Sequence, residues 1–370
     1  MSTNRSANGS KRACAASRAK RTRRPPSRRT RLAPRCSGRP DRRLLVSRLP
    51  RGGFPAARRL AGQRRDTRRF TVGDLLGAAA TPPRRRLREL LATGEPLVAP
   101  GAYDALSARL VEQAGFGAVY MTGFGTTASL IGRPDVGLLS GAEMTAHAAR
   151  LVSAVDVPVI ADADTGYGNA LNVVRTVRSY EQAGVAALHL EDQVMPKKCG
   201  HMSGKAVIGA EEMAGKIRAA AAARRDPDLV LIARTDAAAV HGLDDAIARA
   251  KRYASAGADV LFVEAPTSEE SIERIGAELA GVAPLVFNWV EGGRTPAISL
   301  RRITELGFSL VLFPIGTLLA ATAGIRSLLG ALRADGTPAA VLGELPTFGE
   351  FTELMGLPEV LELEQRFAGG

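Results

Sequence analysis

The sequence contains few cysteines and no long run of apolar residues. Of three cysteines among 370 residues, Cys14 and Cys36 lie near the N-terminus, and Cys199 stands alone in the remainder. A disulfide framework is therefore excluded beyond residue 70, and a reducing cytoplasm is the expected compartment. No stretch of 18 or more apolar residues exists, so we expect no membrane span. We also expect no secretory signal peptide, because no apolar core precedes a cleavage site.

Acidic residues are nearly absent from residues 1–70, which hold 23 Lys and Arg against 2 Asp and Glu. The other 300 residues hold 27 against 35, so the net charge of +13 combines a basic tail with a mildly acidic remainder. Few large apolar residues precede Leu44, and a chain that buries so little is expected to be disordered.

Three interpretations of this tail remain open. It could be an organelle transit peptide, an arm for nucleic acid or an anionic surface, or the result of a start codon assigned too far upstream of a product beginning near Val72. We favour the last, because the arginines show neither helical spacing nor interleaved aromatic residues. Nucleic acid is therefore not an expected partner.

A repeated unit beyond Thr71 predicts the fold. Each unit ends a helix at a glycine suited to the left-handed conformation and continues as a short strand that is apolar at nearly every position. The units are 112–121, 181–190, 254–263 and 304–313, and the apolar runs between them are Leu97–Ala102, Val157–Ala161, Leu229–Ala233 and Leu285–Val290. Eight strands alternating with helices predict an α/β fold, a closed (β/α)8 barrel of the TIM type over residues 71–335.

An open doubly wound sheet is the alternative, but no Gly-x-Gly-x-x-Gly turn follows the first strand. After Leu332 the pattern breaks into pieces separated by Pro and Gly, which predicts a helical extension over 336–370 that ends in Pro358–Phe367 and packs on a neighbouring subunit. The helices predicted within the barrel include Ala105–Ala114, Ala170–Ala183, Glu211–Ala223, Asp244–Ser255 and Glu269–Leu279.

Acidic residues follow several predicted strands, at the end of a barrel that carries chemistry. Asp162 and Asp164 are two apart in a strand-like segment, so both side chains should point the same way. With Glu191 from the next strand they form a small set of oxygen ligands, which suits Mg²⁺. Capping of the following helix or a surface charge cluster is the alternative. His189, within the fourth strand, is expected to be a core histidine with its hydrogen bonds satisfied.

Arg234 ends an apolar strand, where a buried guanidinium needs an anion. A bidentate clamp on a substrate carboxylate fits this position, and a structural pair with Glu264 or Asp236 is the alternative. Gly123 and Gly125 could donate backbone N–H groups to a substrate carboxylate or oxyanion, or could form only a tight turn.

Cys199 lies in a loop of unusual chemistry, residues 191–205. Positive neighbours are expected to lower the pKa of the thiol and make it a proton donor and acceptor near neutral pH. An incidental exposed cysteine is the alternative. Gly200 and Gly204 suggest a loop that moves as a lid. The basic neighbours are Lys197, Lys198, His201 and Lys205.

Three motifs together resemble the isocitrate lyase/phosphoenolpyruvate mutase superfamily. They are Asp-Ala-Asp-Thr-Gly-Tyr-Gly at 162–168, His-Leu-Glu-Asp-Gln at 189–193 and Pro-Lys-Lys-Cys-Gly-His at 196–201. The resemblance runs from about Leu87 to Leu342 and is closest to the branch of 2-methylisocitrate and dimethylmalate lyases. It implies a barrel, Mg²⁺ with Mn²⁺ as a possible substitute, and a homotetramer with C-terminal helices exchanged between subunits.

The resemblance also implies a reaction and the residues that perform it. The reaction would be retro-aldol cleavage of a 2-hydroxy dicarboxylate, with Cys199 as the general acid and Arg234 steadying the enolate. Asp162 would hold the metal directly, with Asp164, Asp135 and Glu191 in outer contacts. The substrate-binding residues implied by motif match are Thr122, Gly123, Phe124, Gly200, His201, Glu264 and Asn288, and the catalytic set also includes Glu191.

One departure narrows the substrate. Leu319 stands where the 2-methylisocitrate lyases carry an arginine for an extra carboxylate, and a leucine cannot pair with that charge. A substituted malate or oxaloacetate then fits better than a tricarboxylate. The alternative functions are oxaloacetate decarboxylation or hydrolysis, and a carboxyphosphonoenolpyruvate or phosphonate mutase reaction.

Overall fold

A computed structural model describes residues 81–368. The predictions made for residues 1–70, including a start near Val72, lie outside the described residues. The eight predicted strands all form. They are β1 Leu97–Ala102, β2 Val119–Met121, β3 Val159–Asp162, β4 Ala187–Glu191, β5 Val230–Thr235, β6 Val260–Val263, β7 Leu285–Asn288 and β8 Phe308–Phe313.

The strands close into a parallel barrel in sequence order. Each strand pairs with the next, and β8 returns to β1 with Leu97 opposite Leu310 and Pro100 opposite Phe313. The predicted (β/α)8 fold is therefore confirmed, and the carboxyl ends of all eight strands face one end of the barrel.

Twelve α-helices surround the barrel in the described part of the chain. β2 is followed by two helices, α3 and α4, rather than the single helix of a simple repeat. The helices are α1 Pro83–Leu91, α2 Ala105–Gln113, α3 Gly123–Ile131, α4 Gly141–Val152, α5 Ala170–Gln182, α6 Ala210–Ala223, α7 Leu243–Ser255, α8 Glu269–Leu279, α9 Leu300–Glu305, α10 Gly316–Asp335, α11 Phe348–Leu354 and α12 Leu357–Phe367.

Two apolar layers hold the barrel together. Side chains on the inner strand faces form a core inside the barrel, and those on the outer faces pack against the helices. Both faces of each strand are thus buried, which is why the strands read as nearly continuous apolar runs. The inner core includes Leu97, Ala99, Ile160, Val230, Ile232, Phe262, Val286, Leu310 and Leu312.

Helix α1 closes the amino end of the barrel. Leu87 is fully buried against the inner core, with Leu90 and Leu91 beside it. Arg84 donates from Nε to the carbonyl of Val185 at 2.9 Å, and Arg88 donates to backbone carbonyls before β5. The opposite end of the barrel, formed by the carboxyl ends of the strands, is therefore the end that can hold an active site.

The C-terminal helices expose much apolar surface in the single chain. Helix α10 contains 20 residues and none of them is buried, and Ile325 and Leu329 are 57% and 56% exposed. Beyond it, Phe348 is 85% exposed. The last helix begins one residue before the predicted Pro358. No helix among residues 81–368 combines the length and apolar character that crossing a membrane requires.

Candidate active site

A cavity of about 240 Å³ opens at the carboxyl ends of the strands. Ten of the thirteen residues proposed from sequence line it, so the strand-end positions do converge. Gly123, Asp164 and Glu191 lie just behind the wall, each in contact with a residue that lines it. The ten are Thr122, Phe124, Asp135, Asp162, Cys199, Gly200, His201, Arg234, Glu264 and Asn288.

Asp162 and Asp164 reach the site by different routes than predicted. Asp162 is the last residue of β3, whereas Asp164 lies beyond the strand with φ of +48°, in the left-handed region. The argument from strand alternation was therefore wrong, although both carboxylates are buried at this end of the barrel. The Asp162 carboxylate accepts the backbone N–H of Asp164 at 2.9 Å, which fixes the turn.

Electrostatics separate the two carboxyl groups. Burial would raise the pKa of Asp162, but His189, Lys197 and Arg234 together lower it, so this group stays ionised. Burial raises the pKa of Asp164 to about 6, with Asp162 and Asp135 adding to the effect and Lys197 opposing it. Asp162 therefore lines the cavity as a carboxylate that remains ionised.

Lys197 bridges two of the acidic residues. Its Nζ lies 2.7 Å from Asp135 Oδ2 and 2.7 Å from Asp164 Oδ1, and the side chain is 3% exposed. Burial alone would lower the pKa of this ammonium, but the surrounding carboxylates raise it well above its ordinary value. A lysine from the lid thus neutralises part of the acidic cluster.

The guanidinium of Arg234 is already engaged by the protein. Its Nε and Nη2 bind the two oxygens of Asp236 at 2.9 and 3.1 Å, and Nη1 lies 3.2 Å from Glu191 Oε2. The alternative of a structural pair with Asp236 is therefore what forms, and the clamp on a substrate carboxylate stays a prediction. Arg234 instead places a fixed positive charge in the cavity wall.

Cys199 lies in the loop and lines the cavity, where it is partly buried rather than fully exposed. Its backbone N–H donates to the carbonyl of Asp135 at 3.2 Å. Burial raises the pKa of the thiol above its ordinary value, and the carboxylates of Glu264 and Asp135 add to this. The prediction of a lowered pKa was wrong, because desolvation outweighs the cationic neighbours. A thiol that stays protonated is suited to donating a proton.

His201 ties the tip of the loop to the far side of the cavity. Its Nδ1 accepts the backbone N–H of Arg294 at 2.9 Å, and Nε2 lies 3.2 Å from Glu264 Oε1. Asn288 donates to the same carboxylate at 3.2 Å. Burial would raise the pKa of Glu264, but Arg234 and His201 hold it well below its usual range.

The close approach of loop and wall depends on two glycines. A Cβ at Gly200 would collide with the Glu264 carboxylate and the Arg234 guanidinium, and a Cβ at Gly123 would collide with the Asp162 carboxylate. No larger residue fits at these two positions without displacing a charged group.

Helix α3 begins at the cavity. Thr122 is its N-cap, and the Thr122 hydroxyl accepts the N–H of Gly125 at 3.3 Å, so that N–H is not available to a ligand. Thr122 and Phe124 line the cavity. The N-terminal turn of a helix favours an anion, which agrees with the position expected for a substrate carboxylate.

The family model described as phosphoenolpyruvate phosphomutase matches residues 87–333. The chain is 50% identical over 285 residues to 2,3-dimethylmalate lyase of Eubacterium barkeri, covering 77% of this chain and 98% of that protein. It is 44% identical to a 2-methylisocitrate lyase of Aeropyrum pernix, covering 73% and 86%. A solved structure of oxaloacetate acetylhydrolase with 3,3-difluorooxalacetate is 40% identical, with a TM-score of 0.74 and coverage of 78% and 98%.

The chain belongs to the isocitrate lyase/phosphoenolpyruvate mutase superfamily. The family predicted from three short motifs is thereby confirmed. Its members named above include two carbon–carbon lyases, which agrees with the enzyme class expected from the loop at 196–201.

A metal ion of this superfamily must fit the residues present. Among residues 81–368, no three His, Cys, Asp or Glu side chains converge closely enough to hold an ion by themselves. Mg²⁺ takes one or two protein carboxylates and keeps several waters, so it would need few ligands from the protein. Asp162 faces the cavity as an anion, and the buried Oε1 of Glu191 has no hydrogen-bond partner in the described part of the chain. Burial also raises the pKa of Glu191 well above its usual range, a cost that a nearby cation would offset.

Only one of the two ring nitrogens of His189 has a hydrogen-bond partner among the described residues. Its Nε2 lies 2.9 Å from the Tyr120 hydroxyl and 3.6 Å from Asp162 Oδ1. Nδ1 is buried and has no partner within residues 81–368, so the expectation of a fully satisfied core histidine was wrong.

Sequence reasoning missed Tyr120 and the role of Asp192. Tyr120 lines the cavity from the middle of β2, and only its inward strand position could have indicated this. Asp192 is fully buried and accepts hydrogen bonds from Thr235, from the backbone of Asp236 and from Tyr253 at 2.7–2.9 Å. It holds the end of β5 in place and does not face the cavity.

Proposed function

We propose that this protein is a Mg²⁺-dependent carbon–carbon lyase that cleaves a substituted malate, of the kind named for its 2,3-dimethylmalate lyase relative. The observation that carries the proposal is that Cys199 and Asp162 line the same cavity, where partial burial raises the pKa of the thiol and nearby cations lower the pKa of the carboxyl group. A carbon–carbon lyase needs this pairing, because it must both stabilise negative charge and deliver a proton.

Asp162 would hold the metal directly, with Asp164, Asp135 and Glu191 acting through water or outer contacts. When bound, Mg²⁺, or Mn²⁺ in its place, supplies a Lewis acid that stabilises negative charge on the substrate oxygens. The ionised state of Asp162 and the unpartnered Oε1 of Glu191 support this assignment.

The cavity wall suits a dicarboxylate with small alkyl groups. Val290, Pro314 and Ile315 line one side, and these offer apolar contact but no charge. The cationic Lys197 and Arg234 are already paired with carboxylates, and Lys198, which also lines the cavity, donates to the Gly204 carbonyl, so few positive charges are left for additional substrate carboxylates. Leu319 is 46% exposed and is not among the lining residues, so the substrate is limited by the charge balance of the wall.

In the proposed reaction the substrate 2-hydroxyl gives its proton to solvent, the C2–C3 bond breaks, and the electron pair of that bond remains on the carbon bearing the other carboxylate. Arg234 supplies fixed positive charge beside the developing enolate. Cys199 donates its proton to that carbon, giving a 2-oxo acid and a saturated carboxylate. For 2,3-dimethylmalate these products are pyruvate and propionate.

Oxaloacetate hydrolysis is the second candidate. It is favoured by the 40% identity and TM-score of 0.74 to oxaloacetate acetylhydrolase. Water would then attack the keto carbon of oxaloacetate, and cleavage would give oxalate and acetate. The same thiol would protonate the leaving carbon, so the wall around the substituent decides between the two functions.

A substrate panel with product identification tests the proposal. Purified protein with excess Mg²⁺ is incubated with 2,3-dimethylmalate, malate, 2-methylisocitrate, oxaloacetate and phosphonopyruvate, and the released acids are quantified. We expect the largest kcat/KM for 2,3-dimethylmalate, with pyruvate and propionate formed one to one and no turnover in EDTA. Release of oxalate and acetate from oxaloacetate as the main activity would replace this function with the hydrolase.

We infer further that the protein is a homo-oligomer, a tetramer by family resemblance, working in a reducing cytoplasm. The absence of any buried residue in α10 supports assembly, because such a helix needs a partner surface. Light scattering after gel filtration measures the mass. Leu329→Glu should lower the assembly state, whereas Arg301→Glu, at a side chain on α9 that is 88% exposed, should leave it unchanged.

A further inference from the structure

The loop over the cavity, residues 192–209, has paired legs and a separate tip. The legs are joined where Val194 N–H donates to the Ala206 carbonyl at 2.8 Å and Ile208 N–H donates to the Asp192 carbonyl at 2.8 Å. The tip, residues 195–204, carries Cys199. The legs are therefore anchored by backbone hydrogen bonds to each other, whereas the tip is held to the barrel by contacts of Lys197, Cys199 and His201.

Lys205 lies at the junction of leg and tip and is buried to 1% exposure of its side chain. Its Nζ donates to the carbonyl of Gly200 at 2.5 Å and to Asp236 Oδ1 at 2.7 Å. The first partner belongs to the tip, next to Cys199, and the second belongs to the barrel. The ammonium thus has its full set of contacts only when the tip is down.

Asp236 is shared between the loop and the active-site wall. Its carboxylate binds Lys205 through Oδ1 and binds Arg234 through both oxygens. Its backbone N–H donates to the fully buried Asp192 at 2.9 Å, which holds Asp236 in place. A buried carboxylate with two cationic partners sets the position of each relative to the other.

We propose that Lys205 is a positioning residue that couples closure of the tip to the orientation of Arg234. With the tip down, Lys205 holds the Gly200 carbonyl beside Cys199 and fixes the oxygen of Asp236 that also binds Arg234. The ammonium of Lys205 thus sets the positions of both Cys199, the proton donor, and Arg234, the charge that stabilises the enolate. This role rests on the proposed lyase function, but the motion of the tip can be measured without any substrate.

The central test is Lys205→Met, which removes the charge but fills the space. Since Arg234 keeps its pair with Asp236, substrate should still bind, so kcat for 2,3-dimethylmalate should fall by about tenfold or more while KM changes by less than about threefold. In the same variant, N-ethylmaleimide should label Cys199 at least about fivefold faster, because the tip opens more often. Peptide mass spectrometry distinguishes Cys199 from Cys14 and Cys36.

Two variants control for charge and for general damage. Lys205→Arg retains a cation and should recover most of the kcat and the slow labelling. Lys251→Met removes a lysine from an exposed pair with Glu278 and should match the wild type in both measurements. Wild-type kcat and labelling rate in Lys205→Met would overturn the proposal, as would equal losses in the Met and Arg variants.

If Lys205→Met does not fold, Lys205→Met/Asp236→Asn removes both charges together and avoids a strained carboxylate. Comparison of this double variant with Asp236→Asn alone then tests the route of coupling. Loss of kcat in the double variant no greater than in Asp236→Asn supports action through Asp236, and a greater loss overturns it. If the wild type does not cleave 2,3-dimethylmalate, the lyase function fails, and the labelling rates alone decide the role of Lys205.

Discussion

The two ends of the barrel both carry dense charge but use it in opposite ways. At the amino end, arginines of α1 and the 224–229 segment bind carboxylates and backbone carbonyls, and their side chains remain 17–32% exposed. At the carboxyl end, Asp162, Glu191, Arg234 and Glu264 are at most 7% exposed. Charges so deeply buried stabilise a fold poorly, because desolvation offsets their attraction.

Hydrogen bonding shows the same contrast. The pairs of Arg84, Arg88 and Arg224 at the amino end leave none of their buried polar atoms without a partner. At the carboxyl end the Oε1 of Glu191 and the Oδ1 of Asn288 have none within residues 81–368. The charged groups at the amino end are thus fully hydrogen-bonded within the protein. At the carboxyl end, some buried polar atoms are left with hydrogen-bonding capacity that a ligand could use.

The largest effect should follow from Asp162→Asn, which keeps shape but removes the anion that faces the cavity. We expect kcat/KM for 2,3-dimethylmalate to fall by about 10³-fold or more, because the metal would lose its direct carboxylate. The thermal midpoint should also fall, because the cations that lower the pKa of Asp162 lose part of their counter-charge. A variant with more than about a tenth of wild-type activity at saturating Mg²⁺ would contradict the metal assignment.

Cys199→Ser should lower kcat by about 10²-fold with little change in KM, because a hydroxyl is a much weaker acid than a thiol. Steady-state kinetics measures both constants. Cys36→Ser, far from residue 199 in sequence, is the matched control and should retain full activity. Unchanged turnover in Cys199→Ser would remove the general-acid role.

The pH profile sharpens the same assignment. A general acid works in its protonated form, and burial raises the pKa of the Cys199 thiol. The thiol therefore stays protonated through neutral pH, and the decline in kcat that Cys199 causes should lie on the alkaline side, where the thiol loses its proton. A decline that begins below neutral pH and persists in Cys199→Ser would have to come from another group.

At the amino end, Arg88→Ala should cost stability and leave catalysis alone. The guanidinium binds the carbonyls of Asp228 and Leu229 at 3.1 Å and lies 3.3 Å from Asp259. Losing these contacts should lower the free energy of unfolding by about 1–3 kcal/mol, as measured by urea denaturation. A fall in kcat without a fall in stability would contradict the prediction that Arg88 serves stability and not catalysis.

The smallest effect is expected for Arg85→Ala on the same helix. Arg85 pairs with Glu89 at 3.2 Å, but both side chains are more than half exposed. Such a pair contributes less than about 0.5 kcal/mol. Urea midpoints of the Arg85 and Arg88 variants, measured side by side, separate exposed from anchoring charge on one helix.

The barrel could be predicted because its signal is local. The glycine after each helix and the apolar run that follows set strand positions to within two or three residues, and Leu97–Ala102 and Glu269–Leu279 form with the predicted bounds. Convergence of the strand ends then follows from closure of the barrel. The second helix after β2 carries no such repeat, and it was not anticipated.

Side-chain pairing could not be predicted because it depends on contacts far apart in sequence. The sequence predicts that Arg234 binds a substrate carboxylate, but in the structure its Nε and Nη2 donate to the carboxylate of Asp236. Cys199 has cationic neighbours along the chain, but desolvation decides its pKa once the loop is folded. Lys197 was counted as a neighbour of the thiol, and in the structure it binds Asp135 and Asp164.

Cleavage of 2,3-dimethylmalate in D2O shows directly whether the Cys199 thiol of the loop protonates the product of carbon–carbon cleavage. The thiol exchanges with solvent, so propionate should carry one deuterium at C2 in a single configuration, because Cys199 approaches from the side covered by the loop. Isotope ratio and configuration are read by NMR after derivatisation. Propionate with deuterium in both configurations equally, or no propionate at all, would rule out protonation by Cys199.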